Sequence, residues 1–169
     1  MNLLREIFGE NVKKEDFNEL NSNFTVRRAT RAILFNDLNQ IAFLNVTKDK
    51  YHKLPGGGIE ENEDIMSALS RELMEEVGAE AAIIDEIGMI IEYKHQFKQI
   101  SYCYLAKVIG EKSCPSFTEE ELNGGFKLEW KDPNEAINIL EKDTPESTLG
   151  KFIRERDLTF LRHCLQKLK

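Results

Sequence analysis

A chain of 169 residues with 41% hydrophobic and 31% charged residues has a globular balance and enough length for one sizeable core. No apolar run approaches the roughly eighteen residues of a membrane span, and Met1 to Gly9 turns acidic at Glu6 with no apolar core or small-residue cleavage site, so neither a transmembrane segment nor a signal peptide is expected. The formal net charge of −7 argues against coating duplex nucleic acid or anionic lipid, and Cys103, Cys114 and Cys164 form no metal or disulfide pattern, which points to a cytoplasmic protein with reduced thiols.

Leu3, Leu4, Ile7 and Phe8 recur at helical spacing before Gly9, so the chain is expected to open with a short helix, followed by a polar stretch to Asn23. Together they read as an N-terminal appendage over residues 1–23. From Thr25 to Phe35 the segment has alternating, β-branched character, and Asn36-Asp37-Leu38-Asn39 supplies a turn before the apolar run Ile41 to Val46, which predicts a β-hairpin. A short strand ending at Leu54-Pro55 leads into Gly56-Gly57-Gly58. Ile65, Leu69, Leu73 and Val77 then fall at i+4 spacing, with Gly78 as the helix stop. Two long strands follow, Ala82 to Tyr93 and Gln99 to Val108, then a polar loop from Gly110 to Gly125, a strand from Phe126 to Trp130, and a helix after Pro133. The last segment predicts an amphipathic helix with Leu158, Leu161, Leu165 and Leu168 on one stripe. Six Lys or Arg against two Asp or Glu from Thr148 onward make it a basic helix on an acidic body. Its apolar stripe requires a partner, either the chain's own sheet or a second copy, with a homodimer favoured.

Chemistry concentrates in the box Arg71-Glu72-Leu73-Met74-Glu75-Glu76-Val77-Gly78. At about 100° per residue, Glu72, Glu75 and Glu76 share one helical face beside the apolar stripe. Like charges at this spacing destabilise an isolated helix by roughly 0.2–0.5 kcal/mol per pair, a penalty that a bound cation reverses. Oxygen donors of this kind suit Mg2+ or Mn2+ and not zinc. On such bare spacing, a merely solvated acidic helix face is the competing reading.

The stretch from Gly57 to Ala79 is similar to the Nudix box, Gly-x5-Glu-x7-Arg-Glu-U-x-Glu-Glu-x-Gly-U with U a bulky aliphatic. Gly57, Glu63, Arg71, Glu72, Glu75, Glu76 and Gly78 occupy all the fixed positions, Leu73 fills the first U, and the small Ala79 departs from the second. At ordinary residue frequencies of roughly 5–8% each, seven such positions coincide at one register on the order of once in 10⁸ trials. The chain therefore resembles the Nudix hydrolases, MutT-like pyrophosphohydrolases. The resemblance implies an α/β fold, an α/β/α sandwich around a mixed β-sheet, with the N-terminal segment and C-terminal helix as additions. As a layout it gives one domain over residues 1–169, with the core at 24–145 and the amphipathic helix at 146–169.

The same resemblance implies hydrolysis of a nucleoside diphosphate linked to another moiety by attack of water at phosphorus, with Mg (or Mn) as cofactor. Oxidised or ordinary nucleoside triphosphates are among the fitting substrates. Glu72, Glu75 and Glu76 would ligate metal with the carbonyl of Gly56, Glu63 would support them, and Arg71 would orient a glutamate. The general base would be Glu75 from the box or Glu121 from the acidic loop Thr118 to Leu122. For substrate binding the candidates are Gly57, which lets backbone approach phosphate, Arg31, with Arg27 and Arg28 on the same strand, and Tyr93 and His95 among the aromatic and ring side chains that also include Tyr51, His52, Phe97 and Trp130. A Nudix-fold module that binds a nucleotide without cleaving it is the alternative.

Overall fold

The computed structural model describes residues 1–18 and 23–169. Seven strands, β1 (Leu3–Phe8), β2 (Thr25–Phe35), β3 (Ile41–Val46), β4 (Tyr51–Lys53), β5 (Glu80–Lys94), β6 (Phe97–Ile109) and β7 (Phe126–Lys131), join one mixed sheet in the order β1-β5-β6-β2-β3-β4, with β7 added on β3. Helix α1 (Ile65–Val77) packs on one face, and α3 (Pro133–Lys142) and α4 (Thr148–Lys167) on the other. The result is the expected α/β/α sandwich. Among the described residues no helix is long and apolar enough to cross a membrane.

Strand alternation explains the two cores. On β2, Ala32 and Leu34 face α1 and meet Leu69, Leu73 and Val77, while Ile33 faces α4 and meets Phe160, Leu161 and Cys164. Helix α1 starts where the Asp64 carboxylate accepts the Met66 and Ser67 N–H groups, and it ends at Gly78 in the left-handed conformation.

Four expectations change. Residues 3–8 form a strand and not a helix: β1 pairs in parallel with β5 from Leu3 opposite Met89 to Phe8 opposite Tyr93, and Ile7 enters the α4-side core. Leu3, Leu4, Ile7 and Phe8 fit either period, and an available sheet edge decided between them. The following polar stretch contains a 3-10 turn at Lys14–Phe17, and its residues 19–22 lie outside the described residues. The β2–β3 hairpin is real only beside its turn, where Phe35 pairs with Ile41; elsewhere β2 runs in parallel beside β6 and β3 runs between β4 and β7. The loop from Gly110 to Gly125 contains a short helix, α2 (Glu119–Gly124), begun by a Thr118–Glu121 capping box.

The fourth change concerns α4, whose buried face is wider than the predicted leucine stripe. Leu158 and Leu161 are buried and Leu165 packs against the same core, but Leu168 is exposed, and burial extends to Phe152, Ile153, Arg156, Asp157, Phe160 and Cys164. The apolar partner that α4 requires is this chain's own sheet. Its cations also find carboxylates within the chain, Arg162 on Glu141 and Lys167 on Asp85. Cys103 and Cys164 are buried and free, and burial raises both thiols above the ordinary range; Cys114 is free and exposed.

Strand β1 makes a direct prediction. Ile7→Ala removes a buried side chain and is expected to lower unfolding free energy by about 2–4 kcal/mol in denaturant titration, whereas a detached appendage would leave it unchanged.

Candidate active site

Because β3 leaves β2 after one residue pair, the inner edge of β2 is free to hold the glycine loop. Ala32 N–H donates to the Pro55 carbonyl (3.0 Å), Thr30 N–H to the Gly57 carbonyl (2.9 Å) and Ile59 N–H to the Arg28 carbonyl (2.9 Å). The glycine run is thus a strand-like segment on a sheet edge and not a loose linker. Gly56 stands at φ +130°, a conformation L side chains rarely adopt, and a Cβ there would strike the backbone of Thr30 and Arg31.

Three carboxylates of α1 close on this segment. Glu76, 1% exposed, accepts from the Gly56 N–H (2.6 Å) and from the Lys53 ammonium (2.7 Å). Burial raises its pKa, while Lys53 and the Gly56 N–H pull the other way. Glu72 lies against Gly57, where a Cβ would run into its carboxyl group, and it accepts from Arg71 (2.9 Å). Glu75 is half-exposed, 3.5 Å from Arg71. Partial burial raises its pKa, with Glu72 and Glu121 adding repulsion against the counter-effect of Arg71. Arg71 is the hub: its guanidinium also grips both oxygens of Glu63 (2.9 Å each) and the Gly58 carbonyl (3.0 Å). Those bonds hold Arg71 above its ordinary pKa, through Glu63 first, and set Glu63 below the usual carboxylate range.

Among the described residues no three His, Cys, Asp or Glu side chains are gathered closely enough to hold a metal ion. Each box carboxylate is engaged by a cation of the chain instead, Glu76 by Lys53, and Glu72 and Glu75 by Arg71. The donor set nevertheless fits a hard divalent cation. It is all oxygen, and the Lys53 ammonium already lies between Glu76 (2.7 Å) and the Gly56 carbonyl (3.2 Å), a cation held by two of the expected donors.

Glu72, Glu76, Gly56 and Gly57 line a cavity of about 410 Å3 together with Arg27, Arg31, Gln99 and Arg156. Glu121 and Thr118 border it from α2, and Tyr51, Phe126, Leu149 and Ile153 give it an apolar wall. The segment before α2 is tied to the end of α1 by Ser113 N–H to the Gly78 carbonyl (2.7 Å) and Ser116 N–H to the Glu75 carbonyl (2.7 Å), which brings Glu121 near Glu75. The cavity therefore unites Glu72, Glu76, the glycines, Arg31 and Glu121, while Glu75 and Glu63 lie outside its lining. It does not include Tyr93, which is buried between Phe8 and Phe17, or His95, which borders a separate depression with Phe17 and Phe24. Both leave because residues 93–95 run out along β1, away from α1. His52 is bound to Asp143 (3.0 Å), Trp130 packs in the α1-side core, and Arg28 lies over Tyr102 on the opposite sheet face from Arg27 and Arg31. Phe97 sits at the outer end of β6 beside Lys94.

Sequence reading missed Lys53, Gln99 and Arg156. The signal for Lys53 was its inward position on β4, two places after buried Tyr51. For Arg156 it was a charge at the i+3 and i+4 spacing of Phe152, Ile153 and Phe160. Its neighbour Asp157 accepts from the Leu54 N–H (2.9 Å), so α4 also anchors the entry to the glycine segment.

The family model described as NUDIX domain matches residues 25–154. The RNA pyrophosphohydrolase of Wolbachia pipientis subsp. Culex pipiens (strain wPip) is 30% identical over 99 residues, 58% of this chain and 55% of that protein. The chain thus spans about half the length of the curated relative it matches. Among solved structures, a MutT protein from Methanosarcina mazei Go1 superposes with a TM-score of 0.61 at 16% identity, covering 88% of this chain and 100% of the other. The E. coli ORF135 protein gives 0.59 at 18% identity, covering 85% and 91%. At these identities the structural likeness speaks for the fold.

The Lys53–Glu76 pair carries a test. In chelator, Lys53→Met leaves a buried carboxylate without its cation and is expected to lower unfolding free energy by about 3–5 kcal/mol, with added Mn2+ restoring part of the loss; unchanged stability would contradict the pairing.

Proposed function

The chain belongs to the Nudix hydrolase family, and on that footing we propose that it hydrolyses a phosphoanhydride bond of a nucleotide derivative, with Mg2+ or Mn2+ as cofactor. The observation that carries the reading is the meeting, in one cavity, of a carboxylate ledge (Glu72, Glu76, with the Gly56 backbone) and buried guanidinium groups. A diphosphate resists nucleophiles through its own negative charge, and a site for it needs cations on more than one side.

Glu72, Glu75, Glu76 and the Gly56 carbonyl would hold the divalent ion, with Glu63 acting through Arg71. When bound there, the ion supplies neutralisation and polarisation of phosphate oxygens. The chain's own residues do the rest. Arg71, fixed by Glu63 and the Gly58 carbonyl, holds Glu72 in place. Glu75 accepts the proton of the attacking water, a role supported by its half-exposed position on the box face next to Arg71, with Glu121 nearby. Glu121 is the weaker candidate because its carboxylate already accepts the Thr118 N–H (2.8 Å). Arg31 faces the phosphates, and Tyr51, Phe126 and Ile153 offer an apolar wall to the group they are attached to.

The test is release of phosphate or pyrophosphate from nucleoside triphosphates, nucleotide sugars, ADP-ribose and 5′-phosphorylated RNA, with Mg2+ and with chelator. Glu75→Gln is expected to fold normally and to lower kcat by about 10²–10⁴-fold. An unchanged rate would remove Glu75 from the chemistry, and binding without metal-dependent release from any compound would turn the reading to a nucleotide sensor.

A further inference from the structure

Among the described residues, the buried cations are paired with carboxylates, with one exception. Lys53 meets Glu76, Lys94 meets Glu92, and Arg156 meets Asp157 through its Nε (2.7 Å) and Glu92 through Nη1 (3.5 Å). Arg31 is 5% exposed, and among the described residues no carboxylate lies within ion-pair distance of it. Its Nη1 donates to the carbonyls of Thr30 (2.6 Å) and Gly57 (3.2 Å), and its Nε has no partner. Arg156, 1% exposed, likewise keeps one nitrogen, Nη2, without a partner. Both side chains line the cavity that Glu72 and Glu76 also line. Burial and then the neighbouring Arg156 charge depress Arg31 to about 10, against the more distant pull of Asp157, Glu76 and Glu92. A buried, unpaired guanidinium beside a second one is costly to the fold, and both present spare N–H groups in a fork suited to oxyanions.

We propose that Arg31 and Arg156 together form an anion subsite that takes a phosphoryl group of the substrate, making α4 a substrate-binding element. The choice of phosphate among oxyanions rests on the hydrolase reading above; the subsite itself rests on the two arginines. Arg31, held to the Gly57 carbonyl, sits at the glycine segment, and Arg156 reaches the same space from the opposite layer. An anion between them satisfies the spare donors and relieves the repulsion at once. The subsite therefore favours substrates whose phosphate chain extends beyond the metal ledge.

The probe is inorganic tripolyphosphate in excess chelator, followed by calorimetric titration and by melting temperature, so that neither metal nor turnover enters. Wild-type protein should bind it and melt higher in its presence. Affinity should fall at least tenfold in Arg31→Gln and in Arg156→Lys, the second chosen because it keeps a cation beside Asp157. Arg31→Gln without ligand should melt close to the wild-type temperature, since no carboxylate lies within ion-pair distance of Arg31 among the described residues; a purely structural arginine would give a clear drop. Loss of affinity in one variant alone or in neither, or a marked drop in the melting temperature of Arg31→Gln, overturns the proposal. Binding through both arginines without metal-dependent hydrolysis of any nucleotide supports the subsite while removing the hydrolase reading. Hydrolysis by variants that bind tripolyphosphate as wild type does removes the subsite and leaves the hydrolase.

Discussion

The structure turns on one buried carboxylate. Glu76, at the last turn of α1, is almost wholly removed from water and survives there because the Gly56 N–H and the Lys53 ammonium both reach it. Without those partners the charged form would be too costly to bury. With them, the bond from Glu76 to Gly56 fixes the end of the box helix to the glycine segment, which is itself hydrogen-bonded along β2. Glu72 then settles in the space that Gly57 leaves by having no side chain. Helix, loop and strand are thus one unit, and the positions of Arg71, Glu63 and Glu75 follow from it.

The early parting of β2 and β3 makes that unit reachable from both layers. Were the hairpin complete, β3 would occupy the edge that the glycine segment uses. Because it is not, α1 and α4, packed on opposite faces of the sheet, both contribute side chains to one cavity. Asp157 ties α4 to Leu54 directly before the glycines, so the last helix is braced to the site it helps to wall. A cavity built this way carries both carboxylates and guanidinium groups in its lining, an arrangement suited to a polyanionic ligand that meets a metal ion on the carboxylates and arginine donors beside them.

Much of this was legible in the sequence where local chemistry alone decides. The spacing of Leu69, Leu73 and Val77, the Asp64 cap and Gly78 specify α1 without help from the rest of the chain, and the box residues fall where that helix puts them. What was not legible depends on partners distant in sequence. Residues 3–8 became a strand because β5 offered an edge, and residues 36–39 made the turn of a hairpin that β6 and the glycine segment largely dismantled. Tyr93 and His95 looked like substrate residues because aromatic and ring side chains near a strand end often are; register carried them to the β1 side. Arg156 was hidden by the opposite error. Leu158, Leu161 and Leu165 do face the core, but taking the leucine stripe as the whole buried face left Arg156 on the expected solvent side of α4, although an adjacent Arg and Asp between Phe152, Ile153 and Phe160 already signal a buried polar site.

The central claim is that the box carboxylates, held ready by cations of the chain, form a divalent-ion site. Titrating Mn2+ into the protein while following the free-ion signal by electron paramagnetic resonance tests it most directly. The account predicts that wild-type protein suppresses the signal up to at least one equivalent and that Glu72→Gln and Glu76→Gln release it. A free-ion signal identical with and without wild-type protein would contradict it.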